Sequence, residues 1–407
     1  ILSSVIQLVF GVSVVGFIPA QTREAFSLIF RNGRVANGFI RDETLCSHIQ
    51  MPRESGPARA DDEADLDWCH DAVQDVSRTF ALTVDVLEEP MSSYICVGYL
   101  LCRVADTVED ADHVAPADQA ALLRTYDRVL NPDDETTVDE FVDEIAPHLP
   151  DERDADWEVV AEAPRVVATF EALPGDVRRA VTPPARELVS GMADFVERYA
   201  DDGGLRIRDC AELEEYCHYA AGTVGQLVTN LVTRADLSDE RQELLYSAAE
   251  DFGLLLQLVN VAKDVYDDYR EENNVYLPRE WLAAEGVDQN AVLDAGNRTG
   301  TAAVVARVAS HARTFLPGAQ RYLEAVPTSD GNTLAAWAIP FLLAVGTLRE
   351  LGRRPEDAVS GEGVKVSRQE VFAVVTAMSS ADSADRIGDV RRQVADKPFH
   401  QAVGSAD

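Results

Sequence analysis

From residue 67 onward, the apolar residues of this chain recur at spacings of three and four, not two. That period buries one face of a helix, whereas strict alternation would bury one face of a strand. It predicts helices near 67–87, 91–109, 117–130, 137–147, 156–171, 176–200, 209–234, 239–271, 300–323, 331–350, 367–378 and 381–394. Breakers separate them: Pro90, Pro116, Pro132, Pro174-Gly175, Asp201-Asp202-Gly203-Gly204 and Pro278. No run of alternating β-branched residues competes. The expected fold is all-α, a single helical domain over 61–395 with a flexible tail at 396–407.

Charge decides which partners such a domain can have. The chain carries 71 acidic and 36 basic side chains, a net −35. That excess argues against nucleic acid, whose phosphates need Lys and Arg to neutralise them. A hydrophobic content of 46 % excludes a disordered acidic tail. Only Lys263, Lys365 and Lys397 are lysines. Arg in place of Lys, with a large Asp/Glu surplus, fits the cytosol of a salt-accumulating organism, where the Debye length at about 1 M salt is about 3 Å. A cytoplasmic monomer is expected.

Residues 1–60 differ from the rest. They hold six Arg against four acidic residues, so 61–407 carries −37. The uncharged stretch ILSSVIQLVFGVSVVGFIPA is long enough to span a bilayer, and Arg23, Arg31, Arg34 and Arg41 follow it. It has no charged segment ahead of it, as a signal peptide would. Two readings stand: a membrane anchor, or a non-core extension read from upstream, with Met51 as the natural start. The abrupt change in composition favours the second. The six cysteines form no C-x-x-C pair and no Cys/His cluster with zinc spacing. They are expected to be reduced and mostly buried. There is no G-x-G-x-x-G, no Walker loop and no internal repeat.

Two acidic clusters break the pattern of buried helices. In VNVAKDVYDDYRE, Asp264, Asp267 and Asp268 stand at i, i+3 and i+4, with Asn260 one turn earlier. In YLLCRVADTVEDAD, Asp106, Glu109 and Asp110 repeat the spacing. Each cluster alone could be a solvated face. Both follow strongly apolar runs, however, and buried carboxylates repel one another unless a cation joins them. Oxygen donors without His or Cys suit Mg²⁺, which also favours substrate phosphates. The implied chemistry is ionisation of a diphosphate ester beside an apolar cavity.

Five segments together resemble the squalene/phytoene synthase family: SRTFALTVDVL at 77–87, DTVED at 106–110, YCHYAAGTVG at 216–225, NVAKDVYDDY at 260–269 and VYLP at 275–278. The resemblance runs from about residue 67 to about 378. It implies an isoprenoid synthase-type bundle with a central apolar cavity. It also implies that Mg²⁺ is held by Asp106, Glu109 and Asp110 on one side, and by Asn260, Asp264 and Asp268 on the other. Asp267 matches a position whose role varies. Arg78 and Arg103 match positions that neutralise diphosphate, although surface ion pairing would explain either one alone. Ser77 and Lys263 are implied to reach the diphosphate, Gln257 to lie near it, and Phe80 to line the prenyl pocket. Tyr216 is implied to help remove a proton or steady a carbocation, and Tyr99, one turn before Arg103, to act similarly. Either tyrosine could simply be core. Ala220, Ala221, Gly222 and Gly225 would leave room for prenyl chains or let helices pack closely.

The family joins two prenyl diphosphates head to head. His218, DTVED and WAIPFLLAVGTL at 337–348 resemble the squalene branch, which uses C15 substrates and NADPH. VYLP resembles the phytoene branch, which uses C20 substrates without reductant, and Asn274 stands where the family commonly has Arg. A dehydrosqualene-type product is the third option. Release of a hydrocarbon implies peripheral membrane contact. An inactive prenyl-lipid binder of the same fold is the non-enzymatic alternative.

Overall fold

The computed structural model describes residues 60–327, 333–378 and 383–403. The readings of residues 1–60 lie outside the described residues, apart from Ala60. The helices are α1 Ala60–Val76, α2 Arg78–Val86, α3 Met91–Glu109, α4 Pro116–Val129, α5 Val138–Ile145, α6 Ala155–Ala161, α7 Ala163–Ala172, α8 Gly175–Arg198 and α9 Cys210–Cys217. A π-turn, His218–Gly222, leads into α10 Thr223–Val232, followed by α11 Asp239–Lys263, α12 Val265–Glu271, α13 Arg279–Ala284 and α14 Arg298–Ala312. The last are α15 Leu316–Ala325, α16 Thr333–Arg353, α17 Arg368–Met378, α18 Ser383–Asp396 and α19 Phe399–Val403. Among the described residues there is no strand, only an isolated parallel bridge between Arg206 and Val275.

Two helices organise the packing. α3 is buried at every position from Ser92 to Glu109 except Tyr94. It is wrapped by α1, α4, α6, α7 and α8. α11 is wrapped by α10, α14, α15 and α16. The halves join through α8 against α10, α10 against α3, and α2 against α16. α16 is long and apolar enough to cross a membrane, but 94 % of its apolar window is buried within the fold.

Several expected helices are divided. The helix predicted at 67–87 breaks at Ser77, whose hydroxyl accepts the Phe80 N–H at 3.2 Å and caps α2. The one at 209–234 contains the π-turn. The one at 239–271 is interrupted at Asp264. The expected flexible tail from 396 is corrected in part. Residues Phe399–Val403 form α19, with Phe399 buried and its N–H bonded to Glu370 at 3.0 Å.

Small residues bring α10 and α11 together. A Cβ on Gly253 would lie 2.5 Å from the Ala221 carbonyl oxygen, and one on Gly225 would lie 2.8 Å from that of Ala249. Both obstacles are backbone, which cannot rotate away. Gly253→Ala should therefore destabilise by about 2 kcal/mol or more, despite its better helix propensity. Denaturant unfolding checks this; an unchanged midpoint would mean that the helices part freely.

Candidate active site

An apolar cavity lies between α3 and α11, with Phe80, Tyr99, Gly225, Leu256, Tyr322 and Trp337 among its walls. Phe80 and Tyr99 pack there with their rings tilted by 32° and their centroids 4.3 Å apart. Cys102 and Leu256 are the wall residues nearest the C-terminal ends of α3 and α11. Four residues beyond each, on the same helix faces, stand Asp106 and Asn260. Each helix thus passes from apolar wall to polar site within one turn.

The first cluster occupies the last turn of α3. Asp106, Glu109 and Asp110 each bring an oxygen within 4.8 Å of the others. The negative end of the helix dipole adds to their mutual repulsion. Burial, and then Asp110, push the Glu109 carboxyl well above its usual range. Arg103 is buried and bonds both Asp106 and, at 2.8 Å, Asp156 of α6. In this state it neutralises a carboxylate of the cluster.

The second cluster spans the junction of α11 and α12. The ladder continues across it: the Asp264 N–H donates to the Asn260 carbonyl at 2.9 Å, and the Asp268 N–H donates to the Asp264 carbonyl at 2.9 Å. Lys263 pairs with Asp264. Asp268 is buried, and burial followed by Glu272 and Asp264 raise its pKa well above normal. Asp267 is exposed, so the shared face predicted for all three aspartates holds for Asp264 and Asp268 only. Asp264, Asp268 and Glu272 do not converge as the first cluster does.

Glu272 was not singled out in the sequence. Burial, then the charges of Asp110 and Asp106, raise it to about 8, and it in turn raises Asp268. It therefore lies close enough to carboxylates of both clusters to feel their charge. Its position four residues after Asp268 was the available signal. Tyr276 was also missed. The Tyr216 hydroxyl donates to the Tyr276 hydroxyl at 3.2 Å, and the rings stack at 4.8 Å. Burial, then Tyr276 and Glu109, raise the Tyr216 pKa. Asn274 donates to both Tyr276 and Glu272 at 3.1 Å, while its own carbonyl accepts the Leu205 N–H at 2.8 Å. The Arg206–Val275 bridge holds this segment against 205–207.

The donor set fits a hard cation. Glu109 Oε2, both side-chain amide atoms of Asn260 and Gln257 Oε1 are buried without hydrogen-bond partners. Such groups are costly unless a ligand meets them. The oxygens are the kind that Mg²⁺ takes. Ser77 is spent as a cap but keeps its hydroxyl proton to donate. The side chain of Arg78 lies outside the described residues.

His218 in the π-turn bonds Glu250 of α11 at 2.7 Å and Glu187 of α8 at 3.2 Å. The Glu250 hydrogen bond lifts it to about 9 against the opposing effect of burial. A folded pKa above the unfolded 6.5 stabilises fully below pH 6.5, and that gain is lost as pH rises through about 9. The expected loss is about 1–2 kcal/mol, because the partly exposed glutamates are screened. Unfolding at low salt should show this slope, and His218→Gln should flatten it. An identical slope in the variant would sink the assignment.

A family model described as squalene/phytoene synthase matches residues 73–370. Squalene synthase LSS of Botryococcus braunii is 27% identical over 333 residues, covering 81% of this chain and 65% of that protein. Squalene synthase ERG9 of Candida albicans is 26% identical over 315 residues, covering 76% and 66%. The chain thus spans about two thirds of the length of these relatives. A solved structure of TcSQS with a bound ligand superposes with a TM-score of 0.66 at 23% identity, covering 84% of this chain and 99% of that one. At that identity the likeness speaks for the fold.

Proposed function

The chain belongs to the squalene/phytoene synthase family, and from that premise we propose that it joins two farnesyl diphosphates head to head. The product of the first step is a cyclopropyl diphosphate of the presqualene type, which hydride from NADPH converts to squalene. The observation that carries the reading is the convergence of Asp106, Glu109 and Asp110 at the end of α3, one turn beyond Cys102 in the wall of the apolar cavity. The two curated relatives named above, both squalene synthases, support the C15 branch.

In this reading Asp106, Glu109 and Asp110 would hold Mg²⁺ on one side, and Asn260, Asp264 and Asp268 would hold it on the other. The bound metal supplies positive charge to the departing diphosphate. Arg103 and Lys263 stand beside Asp106 and Asp264, ready to add cationic charge to the same leaving group. The prenyl chains fill the cavity past Phe80 and Tyr99, where water is excluded. The allylic cation left by one substrate is attacked by the double bond of the other, and a proton departs as the ring closes. The Tyr216 O–H is committed to Tyr276, which leaves an oxygen lone pair to steady the cation.

The test supplies farnesyl diphosphate to the full chain in high salt with Mg²⁺, with and without NADPH, and weighs the extracted lipid. The expected result is a C30 hydrocarbon that is squalene only when NADPH is present. A C40 product from geranylgeranyl diphosphate alone would move the chain to the phytoene branch, which VYLP resembles. Release of no diphosphate from either substrate would leave a binding protein.

A further inference from the structure

We propose a second metal site, separate from the acidic centre, in which Cys210, Glu214 and His311 bind a borderline divalent cation such as Zn²⁺. Cys210 opens α9, and Glu214 follows one turn later on the same face. His311 lies in the last turn of α14. One donor atom from each lies within 4.8 Å of the other two. The Cys210 sulfur is 3.6 Å from His311 Nε2, and the same nitrogen is 2.7 Å from Glu214 Oε1.

The spacing already approaches a coordination shell. With Zn–S about 2.3 Å and Zn–N about 2.0–2.1 Å, tetrahedral geometry puts sulfur and nitrogen roughly 3.6 Å apart. The nitrogen–oxygen pair must open by about 0.7 Å to admit the ion. Glu214 can give this, since its side chain is 42% exposed. All three residues are half-buried, so an ion can enter from solvent and water can complete a fourth position. A thiolate, an imidazole and one carboxylate suit Zn²⁺ or Co²⁺ and not Mg²⁺, so the two sites sort metals by donor type. Loading releases the thiol proton to solvent. The imidazole keeps its remaining proton on Nδ1 as Nε2 takes the ion.

No local spacing could reveal this set, because His311 is 101 residues from Cys210 and 97 from Glu214. The ion would tie the start of α9 to the end of α14. Since α9 carries Tyr216 six residues after Cys210, the tie fixes the base of the helix that presents that tyrosine.

The experiment titrates Co²⁺ into the full, reduced chain in excess Mg²⁺, which keeps the acidic clusters occupied. A thiolate-to-cobalt charge-transfer band should appear in the near ultraviolet, saturate at one equivalent and vanish when Zn²⁺ is added. Cys210→Ser and His311→Gln should each abolish or weaken it at least tenfold in apparent affinity. Zn²⁺ should raise the melting temperature of the parent chain but not of Cys210→Ser. Absence of the band, or a band of full strength in either variant, overturns the proposal. A cobalt spectrum with oxygen ligands only, assigned to the acidic clusters, overturns it as well.

Discussion

Asp268→Asn is expected to cut turnover about 10³-fold while leaving the melting temperature unchanged or higher, measured without metal. The two halves of this result have one cause. Asp268 is buried beside Asp264 and Glu272, and burial disfavours its charged form. An amide of the same shape removes that repulsion at no cost in volume. The substitution also removes an anionic oxygen that would hold Mg²⁺, whose positive charge would balance the departing diphosphate, and losses of about 10²–10³ follow from weakening one such electrostatic contact. Asp106→Asn and Asp264→Asn should also abolish turnover, but they are less clean tests. Each strips a partner from a buried cation, Arg103 or Lys263, so stability falls as well. Diphosphate release and thermal melting on the same preparation separate the effects. Turnover within tenfold of the parent in Asp268→Asn would remove the second cluster from the metal site.

How far the sequence could be read depended on whether the deciding contacts were local. α3 was legible to the residue because Pro90 starts it and its apolar run from Ile95 to Cys102 carries on at helical spacing through Val104, Ala105 and Val108. The acidic clusters were legible because charge on an apolar helix is a local contradiction. The interruptions were not. Ser77 and Asp264 suit a helix interior well enough by pattern, and only their side-chain and backbone partners show where one helix ends and the next begins. The π-turn at His218–Gly222 likewise left no mark in the apolar pattern; it lies where Gly253 seats closely against Ala221.

Tyr276 and Glu272 were missed for a tertiary reason. Both come from the segment after α12, which reaches the site only because 205–207 receives Val275 and Asn274. Asn274, a departure from the family pattern, acquires a role there: it orients the Glu272 carboxylate and the Tyr276 hydroxyl together. Arg103 shows the opposite limit. The sequence associated it with diphosphate, and the structure adds that Asp106 and Asp156 hold it before any substrate arrives. A chain this acidic offers every arginine many partners, so sequence alone could not say which would be buried.

Arg349→Ala is expected to cost about 3–5 kcal/mol of stability. Arg349 stands on α16, and its guanidinium is almost fully enclosed. It bonds both oxygens of Glu370 on α17 at 2.8 Å, Glu350 at 2.8 Å and the Val394 carbonyl of α18 at 2.6 Å. Glu370 in turn receives the Phe399 N–H that begins α19. One guanidinium thus fastens the three C-terminal helices to the core helix, and removing it leaves the 1%-exposed Glu370 side chain as an uncompensated buried charge. Arg392→Ala provides the control. Its pair with Asp389 has side chains 70% and 64% exposed, so its loss should cost about 0–1 kcal/mol. Double substitution to Arg349→Met with Glu370→Leu should recover much of the loss, because it removes both charges and keeps the volume. Hydrogen exchange would locate the damage: amides of α17 to α19 should lose protection before those of α3 and α11. Equal cost for Arg349→Ala and Arg392→Ala would show that burial does not set the worth of these pairs, and that the C-terminal helices are held by apolar contact alone.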